Sequence, residues 1–207
     1  MKRRTLDLVF AVGGLALAVL LLVLGLVLKN QADFAKDYVK HQLTEQKINF
    51  SPVSALSEDE KKVDCLVENA EKQLVSGKQA ECYANEYIGD HLKDINEGKT
   101  YSESSSQSRA KRAEADAALK ADPNSASAKA LDTEAKALAG KVDTLFKGET
   151  LRGLLLTSYG FSIFGDRADL AATVCMLAAL VLLLATVAGF IHALKTPKTA
   201  VIGHTNS

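Results

Sequence analysis

The run Leu8 to Leu28, LVFAVGGLALAVLLLVLGLVL, holds 21 residues without a charge, directly behind the basic start MKRR. At about 1.5 Å of rise per helical residue, such a run reaches the ~30 Å thickness of a bilayer core. Nine of these residues are Leu, five are Val and one is Phe. At about −0.3 to −0.6 kcal/mol each, they favour insertion by roughly −5 to −9 kcal/mol. No soluble helix needs an apolar surface on every side, so the segment predicts a membrane span. A second run without charge, Leu170 to Ile191, sits near the other end. The alternative for the first run is a cleaved secretory signal. It exceeds the 7–15 residues usual for a signal core, and Lys29-Asn30-Gln31-Ala32 makes a poor cleavage site. An uncleaved anchor is expected.

Between the two runs, Lys29 to Asp169 carries 20 Lys+Arg and 24 Asp+Glu. That net negative balance argues against nucleic acid as a partner, because phosphate binding needs a basic face. Poor in aromatics, the segment predicts a thin, Ala-lined helical core. A local count of Lys and Arg beside the spans is level. Long loops, however, translocate largely regardless of charge, and the first helix usually dominates. MKRR is therefore expected in the cytoplasm. The expected layout is a cytoplasmic N-terminus (1–7), a first span (8–28), an extracytoplasmic helical domain (29–148), an interfacial helix (149–165), a second span (168–194) and a cytoplasmic, disordered tail (195–207). Cys65 and Cys82 suit the oxidising compartment this implies.

Periodicity fills in the elements. Phe34, Ala35, Tyr38, Val39 and Leu43 continue the first helix to about Gln46, and Pro52 stops it. Ser57 to Glu60 has the spacing of a capping box. Val63, Leu66, Val67, Ala70 and Leu74 then follow at helical spacing up to Ser76-Gly77. Ala80, Tyr83, Ala84, Tyr87, Ile88, Leu92 and Ile95 form the best amphipathic stripe, ended by Gly98. Tyr101 to Gln107 reads as a polar linker or frayed helix start, and Ala110 to Ala121 as a short helix broken at Asp122-Pro123.

Asn124 or Ser125 caps the next helix, which runs to about Phe146. In it Ala128, Leu131, Ala135, Leu138, Val142 and Leu145 make a heptad seam suited to a partner helix. Leu151, Leu154, Leu155, Tyr159, Phe161 and Phe164 lie on one side of a short segment, against Arg152 and Ser158, and read as a helix in the outer membrane interface. Gly160 and Gly165 permit a turn into the membrane. Ala171, Ala178 and Ala185 repeat every seven residues, and Ala185 with Gly189, like Gly14 with Ala18, makes a small-x-x-x-small pair. Such residues let span backbones pack closely, either within one chain or between copies.

Searches for catalytic chemistry find little. Gly98-Lys99-Thr100 carries the end of a phosphate loop, but the Gly required five positions earlier is Lys93. Asp37, His41 and Glu45, spaced by four, share a helix face as a candidate metal site, and Asp90, His91 and Asp94 form a looser second one. A solvated polar stripe flanked by Lys36 and Lys40 explains the first equally simply. There is no Gly-x-Ser-x-Gly and no Cys with a nearby His, and Ser104 to Ser106 reads as loop filler. Neither apolar run contains an ionisable residue, which argues against a transporter.

The Cys65–Cys82 pair has a geometric condition. Two full-length helices antiparallel around Gly77 leave the sulfurs offset by roughly 10 Å at about 1.5 Å per residue, beyond the ~7 Å limit for a bridge. The helix carrying Cys65 must therefore end early, near Asn69, or the pair stays open. The early end is the expectation. Cys175 reads as a small apolar residue of the second span.

The run GKQAECYANEYIGDHLKDINEGKTY (Gly77 to Tyr101), the run TLFKGETLRGLLLTSYGFSIFG (Thr144 to Gly165) and the two flanking spans together resemble a group of actinobacterial two-span membrane proteins of unassigned function. The resemblance covers most of the chain and implies a cell-envelope protein with two spans. Some members carry an aromatic-ring-opening dioxygenase label. That label implies a cytosolic iron site, and no His-His-carboxylate set here matches one, so the resemblance supplies no catalytic residues.

The expected fold is all-α: two antiparallel transmembrane helices with an extracytoplasmic helical bundle. The expected function is that of a non-enzymatic accessory or interaction protein of the plasma membrane, without cofactor or nucleotide. Its expected partners are the bilayer and a membrane protein or further copies of itself. The alternatives are a sensor or lipid-binding module at the membrane surface and, more remotely, a metal-dependent envelope enzyme.

Overall fold

Residues 2–197 are described in a computed structural model of the chain. The regular elements are all helical: α1 (Arg3–Glu45), α2 (Asp64–Glu68), α3 (Gly77–Cys82), α4 (Gly89–Lys93), α5 (Tyr101–Ala121) and α6 (Ala126–Lys195), with short 3-10 and π-helical turns between them. Among the described residues the only extended pairing is an isolated antiparallel bridge between Asn49 and Gln73. The all-α class therefore holds. Both α1 and α6 contain a stretch long and apolar enough to cross a membrane. The tail beyond Pro197 lies outside the described residues, and with it His204 and most of the segment expected to be disordered.

The chain divides into two compact units. The first comprises the residues up to Tyr38 and those from Ile163 onward. Its buried positions are small. On α1 they are Ala11, Ala18, Ala32 and Ala35, and on α6 they are Ala172, Ala179, Thr186 and Ala193. Gly25 completes the run Ala11, Ala18, Ala32 on α1 and Gly165 the α6 series, both in steps of seven, while Ala35 falls three residues after Ala32. A seven-residue step keeps one seam of a helix facing its neighbour. A Cβ at Gly14 would stand 2.9 Å from Thr186 Oγ1, one at Gly25 2.8 Å from Met176 Cγ, and one at Gly165 3.0 Å from the Ala35 Cβ.

This corrects the expected Ala171, Ala178 and Ala185 seam by one residue: Ala171 and Ala185 are exposed, Ala178 is half-buried, and Ala172, Ala179 and Thr186 face inward. Both sets obey the same heptad, so spacing alone does not choose between them. The glycines of the opposing helix decide. Beyond the apolar runs, Lys29 bonds Asp33 at 2.9 Å and Asp169 at 3.0 Å, while Lys36 reaches Asp169 at 2.6 Å and Asp166 at 3.5 Å.

The second unit, Val39–Ser162, is built on a core of Leu43, Phe50, Leu56, Leu66, Leu74, Ile88, Leu92, Leu145 and Leu155, with Ala80 and Ala84 between them. The helix carrying Cys65 ends at Glu68, the early end near Asn69 that the bridge requires, and the Asn69 side chain donates to the Cys65 carbonyl oxygen at 2.8 Å. Past it the chain runs extended beside Ile48–Phe50, with Leu74 N donating to Ile48 O at 2.9 Å and Phe50 N to Lys72 O at 3.0 Å. The early stop brings the Cα atoms of the bonded pair Cys65–Cys82 to 6.2 Å, inside the range a bridge requires.

Two expected boundaries move. α5 starts at Tyr101, not Ala110, because Thr100 and Glu103 form a capping box. α5 then packs along α6 as a hairpin: Arg112 Nη1 reaches Asp132 at 2.7 Å, Lys111 reaches Glu134 at 3.4 Å, and the Tyr101 and Phe146 rings lie 5.6 Å apart. The three elements expected between Ser125 and Leu194 are one helix of 70 residues. Glycine inside a helix costs only about 1 kcal/mol and keeps its N–H, so Gly140, Gly148, Gly153, Gly160 and Gly165 do not interrupt it. Proline does, and Pro123 and Pro197 bracket α6.

Candidate functional site

The chemically richest part of the chain is the continuous helical path from Gly77 to Lys93. Ser76 and Gln79 start it with a reciprocal cap. A π-helical turn at Tyr83–Ile88 then separates α3 from α4. Such an insertion shifts the register of side chains and often sits at functional positions. Here it carries an aromatic ladder: Phe50 meets Tyr83 edge-on at 5.2 Å, Tyr83 lies 4.9 Å from Tyr87, and Tyr87 lies 4.5 Å from the His91 ring. Ser51 Oγ donates to the Tyr87 hydroxyl at 3.1 Å. Burial, and secondarily the Tyr87 hydroxyl, push the Tyr83 phenol above its ordinary pKa.

Three cavities border this path. One of about 570 Å³ lies against the Cys65–Cys82 bridge, with Val75, Gln79 and Glu86 on its walls. One of about 350 Å³ is lined by Glu60, Asp90, His91 and Asp94. One of about 230 Å³ is lined by Asn85, Lys99, Glu149 and Arg152. In the last, Arg152 Nη2 donates to Asn85 Oδ1 at 3.3 Å and Nη1 reaches Glu149 at 3.4 Å, while its buried Nε has no hydrogen-bond partner. In the first unit, a cavity of about 280 Å³ is lined by Asp7, Gly14, Thr186 and His192.

The sequence-predicted sites fare unevenly. Among the described residues no group of three or more His, Cys, Asp or Glu side chains is placed to hold a metal ion. The set Asp37, His41 and Glu45 therefore does not assemble. His41 Nε2 lies 3.7 Å from Glu45, and both side chains are mostly exposed, as on an ordinary solvated helix face. Asp90, His91 and Asp94 fail the same test: His91 Nδ1 is 2.8 Å from the Tyr87 carbonyl oxygen, and Asp90 accepts from Lys93.

The heptad seam is also corrected. Ala128, Ala135 and Leu145 are buried inside the chain, and Leu131, Leu138 and Val142 are half-buried. α5 takes the place assigned to a partner helix, with Ala115 fully buried on its side. The one-sided segment divides as well. Leu155 belongs to the core and Tyr159 is half-buried, its pKa raised mainly by burial and secondarily by the Glu81 carboxylate. Leu151, Leu154, Phe161 and Phe164 remain exposed.

Several residues with structural work escaped the sequence reading. Ser104 is wholly buried and accepts from Asn96 Nδ2 at 2.9 Å. Asn96 itself has φ 50°, followed by Glu97 at 61° and Gly98 at 75°, three consecutive residues in the left-handed region. The legible signal was the Thr100-x-x-Glu103 spacing, which turns Gly98-Lys99-Thr100 into a helix start. No family profile, curated protein or solved structure matches this chain.

Proposed function

We propose that the protein is a non-enzymatic accessory protein of the plasma membrane, anchored by two antiparallel spans, which holds the Val39–Ser162 unit outside the cytoplasm for a membrane-protein partner. The contacts between the apolar stretches support the antiparallel layout: Gly14 with Thr186 and Gly25 with Ala172 and Met176 run in opposite chain directions. MKRR favours a cytoplasmic N-terminus, and the Cys65–Cys82 bridge fits an oxidising compartment. The two-span resemblance drawn from the sequence points the same way.

The observation that carries the partner reading is the row of exposed apolar side chains on α6 within the second unit. Phe146, Leu151, Leu154 and Phe161 are all exposed, Leu154 to 62%. Large apolar side chains left exposed along one helix in this way are suited to protein or membrane contact. The other surfaces first expected to bind, the α6 seam and the glycine faces, are already used inside the chain. A second reading rests on the same row, with Phe164: it lies on lipid, as a sensor or lipid-binding module. A photo-crosslinking amino acid placed at Leu154 or Phe161 in intact cells separates them. A discrete protein adduct supports the partner reading. Adducts with lipid alone sink it in favour of the second.

A further inference from the structure

The cavity of about 350 Å³ beside His91 contains an anomaly in its wall. Glu60 is 7% exposed, and its carboxylate is divided in fate. Oε2 accepts the Ser57 N–H at 2.7 Å and completes the capping box with Ser57 Oγ. Oε1 is buried and has no hydrogen-bond partner. Leaving a charged acceptor without a donor away from water costs more than leaving a neutral one, so a buried orphan oxygen at a cavity asks for a donor. His91 does not supply it: Nδ1 lies 3.8 Å from Oε1, and in the neutral ring the hydrogen on Nδ1 is spent on the Tyr87 carbonyl oxygen at 2.8 Å.

The charges around the cavity show what kind of donor is missing. Asp59 is paired with Lys62 at 2.8 Å and Asp90 with Lys93 at 2.6 Å. Glu60 and Asp94 line the same cavity without a lysine or arginine of their own. The unbalanced charge is thus negative, and the unmet need is for N–H donors. Among the described residues no third ligand converges to make this a metal site. The volume falls in the lower part of the range for small-ligand pockets.

We propose that this cavity receives a guanidinium group, with Glu60 as the buried acceptor and Asp94 as the outer one. The group belongs either to a free small guanidine or to an arginine side chain of a partner protein. The inference is independent of the apolar row on α6.

Calorimetry on the full chain in nanodiscs tests it with four probes. These are methylguanidinium against its neutral counterpart N-methylurea, and a blocked Gly-Arg-Gly peptide against blocked Gly-citrulline-Gly. At least one cation is expected to bind tenfold or more tighter than its neutral partner. Binding by the peptide alone assigns a partner side chain; binding by methylguanidinium to the same degree assigns a free small guanidine. Glu60→Gln, which keeps the cap to Ser57, should abolish the discrimination, and the exposed substitution Asp94→Asn should reduce it severalfold without changing the melting temperature. Equal binding of cation and neutral partner in both pairs overturns the proposal. So does discrimination that survives both substitutions.

Discussion

Gly25 of α1 lies so close to α6 that a Cβ there would stand 3.3 Å from the Ala172 carbonyl oxygen and 2.8 Å from Met176 Cγ. A leucine at this position has nowhere to go unless the helices part. Overpacking of this kind costs about 1–3 kcal/mol. Cys175, whose Cβ would lie 3.4 Å from that same added atom, reports the separation. Gly25→Leu is expected to speed maleimide labelling of Cys175 in detergent severalfold. Gly13→Leu, where nothing lies within 4 Å of an added Cβ, should leave the rate unchanged. Equal rates in all three proteins would show that this close approach does not hold the pair.

The Cys65–Cys82 bridge closes a loop with a sequence separation of 17 and ties the short helix α2 to α3. A loop of that size contributes about 3 kcal/mol by restricting the unfolded chain. For a unit of this size that corresponds to a melting temperature lower by on the order of 10 °C when it is lost. The Cys65→Ala, Cys82→Ala double variant should show that drop, and adding reductant should lower the native protein to the same level while leaving the variant unmoved. A native protein insensitive to reductant would deny the bridge its role. In intact cells, an impermeant thiol reagent applied after gentle reduction should label these cysteines. Labelling only after lysis would place the unit in the cytoplasm.

What the sequence made legible was whatever a single period decides. The length of Leu8 to Leu28 gives a helix long and apolar enough to cross a membrane, and the stripe from Ala80 to Ile95 gives a buried helix face. The disulfide offset correctly required an end near Asn69, because rise per residue is fixed by the backbone. The rest depended on choices between equal alternatives. Ala171, Ala178 and Ala185 repeat as regularly as Ala172, Ala179 and Thr186, and only Gly14 and Gly25 opposite distinguish them. The Ala128 to Leu145 seam was recognised as a packing face, but its occupant, α5, was hidden by a serine-rich start that resembles a linker. Glycines at 160 and 165 looked like turns, yet glycine permits a turn without requiring one. The cavity at Glu60 was legible only in part: Asp90, His91 and Asp94, grouped by spacing as a metal candidate, do line it, but the capping-box spacing accounts for one Glu60 carboxylate oxygen and is silent about the other.

Ser104 shows how far local context overrides composition. It sits in a run of three serines, but it alone is wholly buried, accepting from Asn96 at the strained turn before α5. Ser104→Ala removes that acceptor and leaves Asn96 only Gln107 Oε1, at 3.1 Å. The expected cost is about 1–2 kcal/mol, the range for a lost buried hydrogen bond. Ser106→Ala, at an exposed position on the same helix, should be neutral or stabilise by a few tenths of a kcal/mol through helix propensity. Thermal melts of the two variants check the contrast, and equal effects would mean that the Asn96 turn does not depend on Ser104.

Asp132 ties the α5–α6 hairpin together, accepting from Lys136 at 2.7 Å on its own helix and from Arg112 at 2.7 Å across the hairpin. Hydrogen bonds from Lys136 first and Arg112 second hold its carboxyl below the usual carboxylate range. A group whose pKa is depressed by folding contributes stability that is fully present above its unfolded value, about 3.9 for Asp. That contribution fades as pH falls through the lower, folded value. Asp132→Asn should therefore lower the melting temperature by the same modest amount at every pH from about 7 down to about 5. The gap between variant and native protein should then narrow below about pH 4, where the carboxylate of the unfolded chain begins to take up a proton, and close as pH falls through the lower, folded value. Melts across this series decide the matter. A gap that stays constant to pH 2 would assign the effect of the substitution to lost packing, and a gap that widens on acidification would reverse the sign of the coupling between Asp132 and its two cations.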